Sequence, residues 1–150
     1  RFNTGGFDVQ FLAGLVDDLP ADRMYIAAGD CNITSSEEAQ HRLVGRYQDD
    51  WAISYRLGCK NAQGTHYYRD RDRAADDPAN WSFLDIVLFP HSMTASGKKP
   101  AAWVVDPASI LVHNTAPFQK DRYGNPARFK WPEMDGVADH WPVIATFNKR

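Results

Sequence analysis

The chain has 150 residues, of which 43% are hydrophobic and 13% aromatic, enough apolar material for one buried core and too much for a disordered polymer. One domain spanning residues 1–150 is therefore expected. Its 17 basic and 19 acidic residues leave a formal net charge of −2, so no global positive field draws it to nucleic acid or to an anionic membrane, and a polyanion would have to be met by a local site.

In chain order, Phe7, Phe11, Leu12, Leu15, Val16 and Leu19 fall on one helical face, and Pro20 ends the pattern. Met24 to Ala28 reads as a short buried strand that runs into a turn at Gly29-Asp30. Ser35 and Glu38 stand at capping-box spacing for a second helix with Ala39, Leu43 and Val44 on its inner face. Trp51, Ile53, Tyr55 and Leu57 alternate as in a strand, and Gly64 to Tyr68 forms another. The charged stretch Arg69 to Asn80 reads as a solvated loop, ended by Asp76-Asp77-Pro78. Phe83 to Phe89 is the clearest strand, and Asp85 lies inside it, where a carboxylate needs a partner. Trp103 to Val105 and Ile110 to Val112 follow, separated by the turn-prone Asp106-Pro107. A long Pro/Gly-rich loop from Asn114 to Gly136 leads to a last strand, Val143 to Phe147. This mixture predicts an α/β (α+β) fold.

No apolar run has the length of a membrane span and no leader pattern opens the chain, so the sequence reads as soluble, with cytoplasmic and secreted locations both open. Cys31 and Cys59 make neither a disulfide framework nor a zinc site, and both are expected to be free thiols. The sequons at Asn32 and Asn80 read as chance matches. The acids Asp70, Asp72, Asp76 and Asp77 lack the spacing and the glycine of a calcium loop, and His41, His66, His91 and His113 lack the pairing of a zinc helix. Basic residues between Lys120 and Lys130 are within the range that ordinary solubility explains.

Three acidic signatures stand at strand ends: Gly29-Asp30-Cys31-Asn32, Leu84-Asp85-Ile86 and Ala138-Asp139-His140. Singly, each has a plain structural reading as a turn, a buried structural acid or a surface pair. In this order, with Trp141-Pro142-Val143 after the histidine, they resemble the motifs of the endonuclease/exonuclease/phosphatase (DNase I-like) superfamily: Gly-Asp-x-Asn, then Asp-x-Ile in a strand, then Asp-His followed by Pro-Val. Ala138 stands where the family usually has Ser.

That resemblance implies a metal-dependent phosphoester hydrolase, with a nucleic-acid phosphodiester ahead of a phosphomonoester or a phospholipid head group. It implies Asp30 as general base toward the attacking water, Asn32 as the amide that orients the water or a phosphate oxygen, and His140 as the group on the phosphoryl oxygen. Asp85 would fix the His140 tautomer, and Asp139 would help to hold Mg²⁺ or Mn²⁺. It also implies that residues 1–150 are the carboxy-terminal portion of one such domain, half of a four-layer α/β sandwich with two packed, mostly antiparallel sheets. The principal partner would then be the missing amino-terminal half, which carries the main metal-ligating Glu. The contrasting expectation, from the missing half alone, is a non-catalytic interaction module.

Overall fold

The computed structural model describes residues 24–95 and 101–150. The helix expected over Phe7 to Leu19 lies outside them. The described residues form an α+β fold in which every strand pairing is antiparallel. No described helix is long and apolar enough to cross a membrane.

At the centre is β5 (Asp85–Pro90), flanked by β1 (Ala27–Asp30) and β2 (Trp51–Ile53) in the order β1-β5-β2. Its apolar run lacks polar alternation because both faces are covered. Ile86 and Leu88 pack with Cys31, Ile33, Val44 and Ile53 on one side. Val87 and Phe89 meet a second core of Cys59, Val105, Ile110, Val112 and Trp141 on the other. Phe89 is fully buried, so truncating it to Ala would cost about 3–5 kcal/mol. Three two-stranded pairs complete the described sheets: β3 (His66–Tyr67) with β4 (Trp81–Ser82), β6 (Trp103–Val105) with β9 (Phe147–Lys149), and β7 (Leu111–Val112) with β8 (Val143–Ile144).

Several sequence expectations are corrected. The strand expected at Met24 to Ala28 runs instead over Ala27–Asp30, and it is an edge strand with an exposed surface rather than a buried one. Met24 and Ile26 are 43% and 45% exposed, and with Met93, Trp103 and Phe147 they line an apolar concavity of about 390 Å³. Helix α1 (Ser35–His41) is capped one residue earlier than expected, by the reciprocal pair Thr34 and Glu37. That frees Glu38 to accept from the backbone N–H groups of Val44 (2.8 Å) and Gly45 (2.9 Å) as the chain leaves the helix. α1 buries none of its own residues, and Val44 reaches the core from beyond its end, after Arg42 has turned left-handed at φ 49°.

The alternation from Trp51 to Leu57 breaks after Ile53, where α2 (Ser54–Leu57) turns inward. The fully buried Ser54 hydroxyl accepts from Val87 N–H of β5 at 3.1 Å, a bond that a continued strand would forgo. The last expected strand is two short ones, β8 and β9, because the chain leaves β7 and joins β6 two residues later. Neither cysteine is in a disulfide, as the sequence suggested, and both are buried. Burial pushes the Cys59 thiol up to about 11.

Candidate active site

Asp85 opens β5, and His140 follows the long loop 55 residues later, yet the two touch. The imidazole Nδ1 lies 2.8 Å from Asp85 Oδ2, with each side chain a little over a quarter exposed. An ionised carboxylate only accepts, so Nδ1–H donates and Nε2 is the ring nitrogen that Asp85 leaves unengaged.

One buried threonine brings these distant segments together. Thr65 has no exposed surface; its N–H donates to Ser82 C=O (2.9 Å), its carbonyl accepts from Trp141 N–H (2.8 Å), and its hydroxyl accepts from Asp85 N–H (3.1 Å). Gly64 just before it allows this approach, since a Cβ there would lie 2.6 Å from Ser82 carbonyl oxygen. Cys31 N–H donates to Leu84 C=O at 2.7 Å and ties the end of β1 to the same place. The register then sets Asp30 directly opposite Asp85.

Asp30 and Asn32 sit beside the pair, but not as an extended strand end would place them. The strand stops at Asp30, and Asn32 adopts a left-handed conformation at φ 48°, which Asn tolerates better than most residues. Asp30 Oδ1 accepts from Asn32 N–H at 2.8 Å, which closes the turn. Cys31 between them is buried in the core. Asn32, Asp139 and His140 line one cleft of about 490 Å³ together with His66, Tyr68, Arg73 and Arg128. Asp85 lies outside that lining, against His140 in a neighbouring concavity of about 340 Å³.

His66 is the residue that sequence reasoning passed over. It forms a β-bridge with His140, and the two rings lie 4.7 Å apart, tilted by 48°. Burial pushes its imidazole below the usual histidine range, and the charge of His140 adds to this; Asp139, Asp30 and Asp85 oppose it. Three carboxylates and two imidazoles therefore act on one rim. His66 carried no sequence signal beyond its place in a short strand, because its partner is 74 residues away.

Asp139 does not stand alone: Arg128 Nε lies 3.5 Å from its Oδ2, a partly exposed ion pair. The oxygen chemistry of Asp30, Asn32 and Asp139 suits a hard cation. Among the described residues, however, no three His, Cys, Asp or Glu side chains are grouped to hold one.

The loop after residue 114 is built of turns rather than strands, around Pro117–Gln119 and isolated bridges Lys120 with Pro126 and Lys130 with Asp135. It is fastened to the site by the Trp141 indole N–H, which donates to Gln119 C=O at 3.0 Å. Trp141 is buried and packs against Trp81 with ring centres 5.2 Å apart, so the residue after His140 is held from two sides. Comparison of the chain with protein-family models, curated proteins and solved structures finds no match in any of the three.

Proposed function

We propose that this chain carries the phosphate-handling part of a metal-dependent phosphoester hydrolase, the carboxy-terminal portion of a DNase I-like domain. The observation that carries the reading is the 2.8 Å contact between Asp85 and His140, two residues of separate motifs with no sequence proximity. Asp85 holds the ring with Nδ1–H inward and stabilises its protonated form, whose Nε2–H donates to a phosphoryl oxygen. Asp30 takes the proton of the attacking water with the carboxylate oxygen that the turn at Asn32 does not use, and Asn32 donates its side-chain amide to that water or to the phosphate. The oxygen of water bonds to phosphorus as the ester oxygen leaves. A nucleic-acid phosphodiester is the favoured substrate over a monoester.

Mg²⁺ or Mn²⁺ belongs to this reading, with Asp139 giving one oxygen and the remaining ligands coming from an amino-terminal half that completes a four-layer sandwich. The exposed Met24, Ile26 and Trp103 around the apolar concavity support such a partner, whether it is a separate chain or a further segment. The test is hydrolysis of bis-p-nitrophenyl phosphate by the chain combined with its amino-terminal half, with added Mg²⁺ or with EDTA. Activity that needs the metal and is lost in His140→Ala is expected. Turnover in EDTA, or turnover untouched by His140→Ala, refutes the proposal.

A further inference from the structure

A further concavity has neither Asp85 nor His140 in its lining. It measures about 620 Å³ and lies within the loop that follows Pro117–Gln119, lined by Lys120, Arg122, Tyr123, Arg128 and Lys130. Two acids, Asp121 and Asp135, also border it, giving four cations against two carboxylates on a chain whose net charge is −2. Those acids hold the loop: Asp121 accepts from Tyr123 and Asn125 N–H groups at 2.9 Å each, and Asp135 accepts from Gly136 N–H at 2.9 Å. Gly136, at φ 76°, allows the chain to pass against the carbonyl of Arg128 where any Cβ would collide.

Tyr123 lines the concavity, and Trp131 stands exposed next to Lys130 in the same loop. Tyr123 is 71% exposed and Trp131 76% exposed, and Arg122 lies over the Tyr123 ring with its guanidinium carbon 4.7 Å from the centroid. Arg128 lines both this concavity and the His140 cleft, so the two hollows adjoin at this residue.

We propose that residues 117–136 form a binding platform for an unpaired polynucleotide strand, with bases stacked on Tyr123 and Trp131 and neighbouring phosphates met by Lys120, Arg122 and Lys130. Arg128 leads the strand into the cleft. The direction of the strand, toward His140, rests on the phosphodiester reading above. An unpaired strand is favoured over a duplex because stacking on a side chain needs a free base face, and because a hollow of this size has no room for a helix. It is favoured over a membrane surface because the site is concave, whereas a bilayer is flat.

The experiment is fluorescence anisotropy with the 150-residue chain and a labelled oligothymidylate of about ten nucleotides. Binding that weakens with salt is expected. Tyr123→Ala should bind about ten-fold more weakly. The double variant Lys120→Ala/Arg122→Ala should lower the steepness of the log-affinity against log-salt plot by about 1.4, as two lost phosphate contacts on a single strand require. No binding at low salt, equal affinity for a duplex of the same length, or binding of equimolar phosphatidylcholine–phosphatidylserine vesicles in place of the oligonucleotide overturns the proposal. Because anisotropy needs no turnover, strand binding by the chain with no hydrolysis by the chain combined with its amino-terminal half rejects the hydrolase reading alone, and hydrolysis by that combination without strand binding rejects the platform alone.

Discussion

Removing the Asp85 carboxylate tests the geometry on which the functional reading depends. The hydrogen bond from His140 Nδ1 is 2.8 Å long, and the two side chains are 27% and 28% exposed. A charge-assisted bond of that length contributes about 1.5–3 kcal/mol when well shielded, and an exposed ion pair contributes at most about 1 kcal/mol. With a quarter of each group open to water, the coupling should fall at about 1–2 kcal/mol. The measurement is a double-mutant cycle of Asp85→Ala and His140→Ala, with stability read from urea unfolding of the four proteins. Nitrogen NMR of the imidazole gives a second readout: Nδ1 should carry the proton in the parent chain, and Asp85→Ala should release that preference. A coupling under about 0.3 kcal/mol, or an imidazole protonated only at Nε2, would show that the contact is incidental.

Three other outcomes are expected. His66 is held below its ordinary value, so the unfolded chain binds more protons than the native one just under pH 6.5; stability should rise with pH through that window and be lost on acidification, and His66→Gln should flatten the urea-midpoint profile there. A profile unchanged by that substitution would remove His66 from the rim's electrostatics. Thr65→Val keeps the shape but takes away the acceptor of Asp85 N–H, so it should cost about 1–3 kcal/mol in urea unfolding, and a loss under about 0.5 kcal/mol would count against its role as the tie between segments. Asn32→Gly keeps the left-handed turn and removes the amide, so on the hydrolase reading proposed above it should retain stability and lower turnover about 100-fold in the chain combined with an amino-terminal half; full turnover would return Asn32 to a purely structural part.

Legibility in the sequence followed how local the determining interaction is. β5 was readable because an unbroken apolar run with both faces covered is a property of its own residues. The end of β2 was not, because Ser54 leaves the strand to satisfy Val87 of another segment. Capping at Thr34 rather than Ser35 was a choice between adjacent hydroxyl residues, each with a Glu three positions on, and only the entry angle of the chain separates them. The pairing of Asp85 with His140 was reached from motif resemblance rather than from pattern, since no local rule links positions 55 residues apart. His66 and Thr65 had no motif to announce them; both act through strand neighbours supplied by tertiary contact.

The turn at Asp30 shows why weighing a structural reading against a functional one does not always require choosing between them. Gly29-Asp30-Cys31-Asn32 is a turn former, as the plain reading had it: Asp30 Oδ1 closes on Asn32 N–H, and Asn32 is left-handed. A carboxylate has two oxygens and about four acceptor sites, so one backbone hydrogen bond orients it without exhausting it. The left-handed step also does what a straight strand would not, because it lets buried Cys31 anchor the turn through Leu84 while Asn32 faces the cleft of His140. The same residues that end the strand therefore hold a carboxylate and an amide with little conformational freedom, which is what the proposed roles of base and water-orienting amide require. Backbone economy and site geometry coincide here because both need short polar side chains at a rigid strand end.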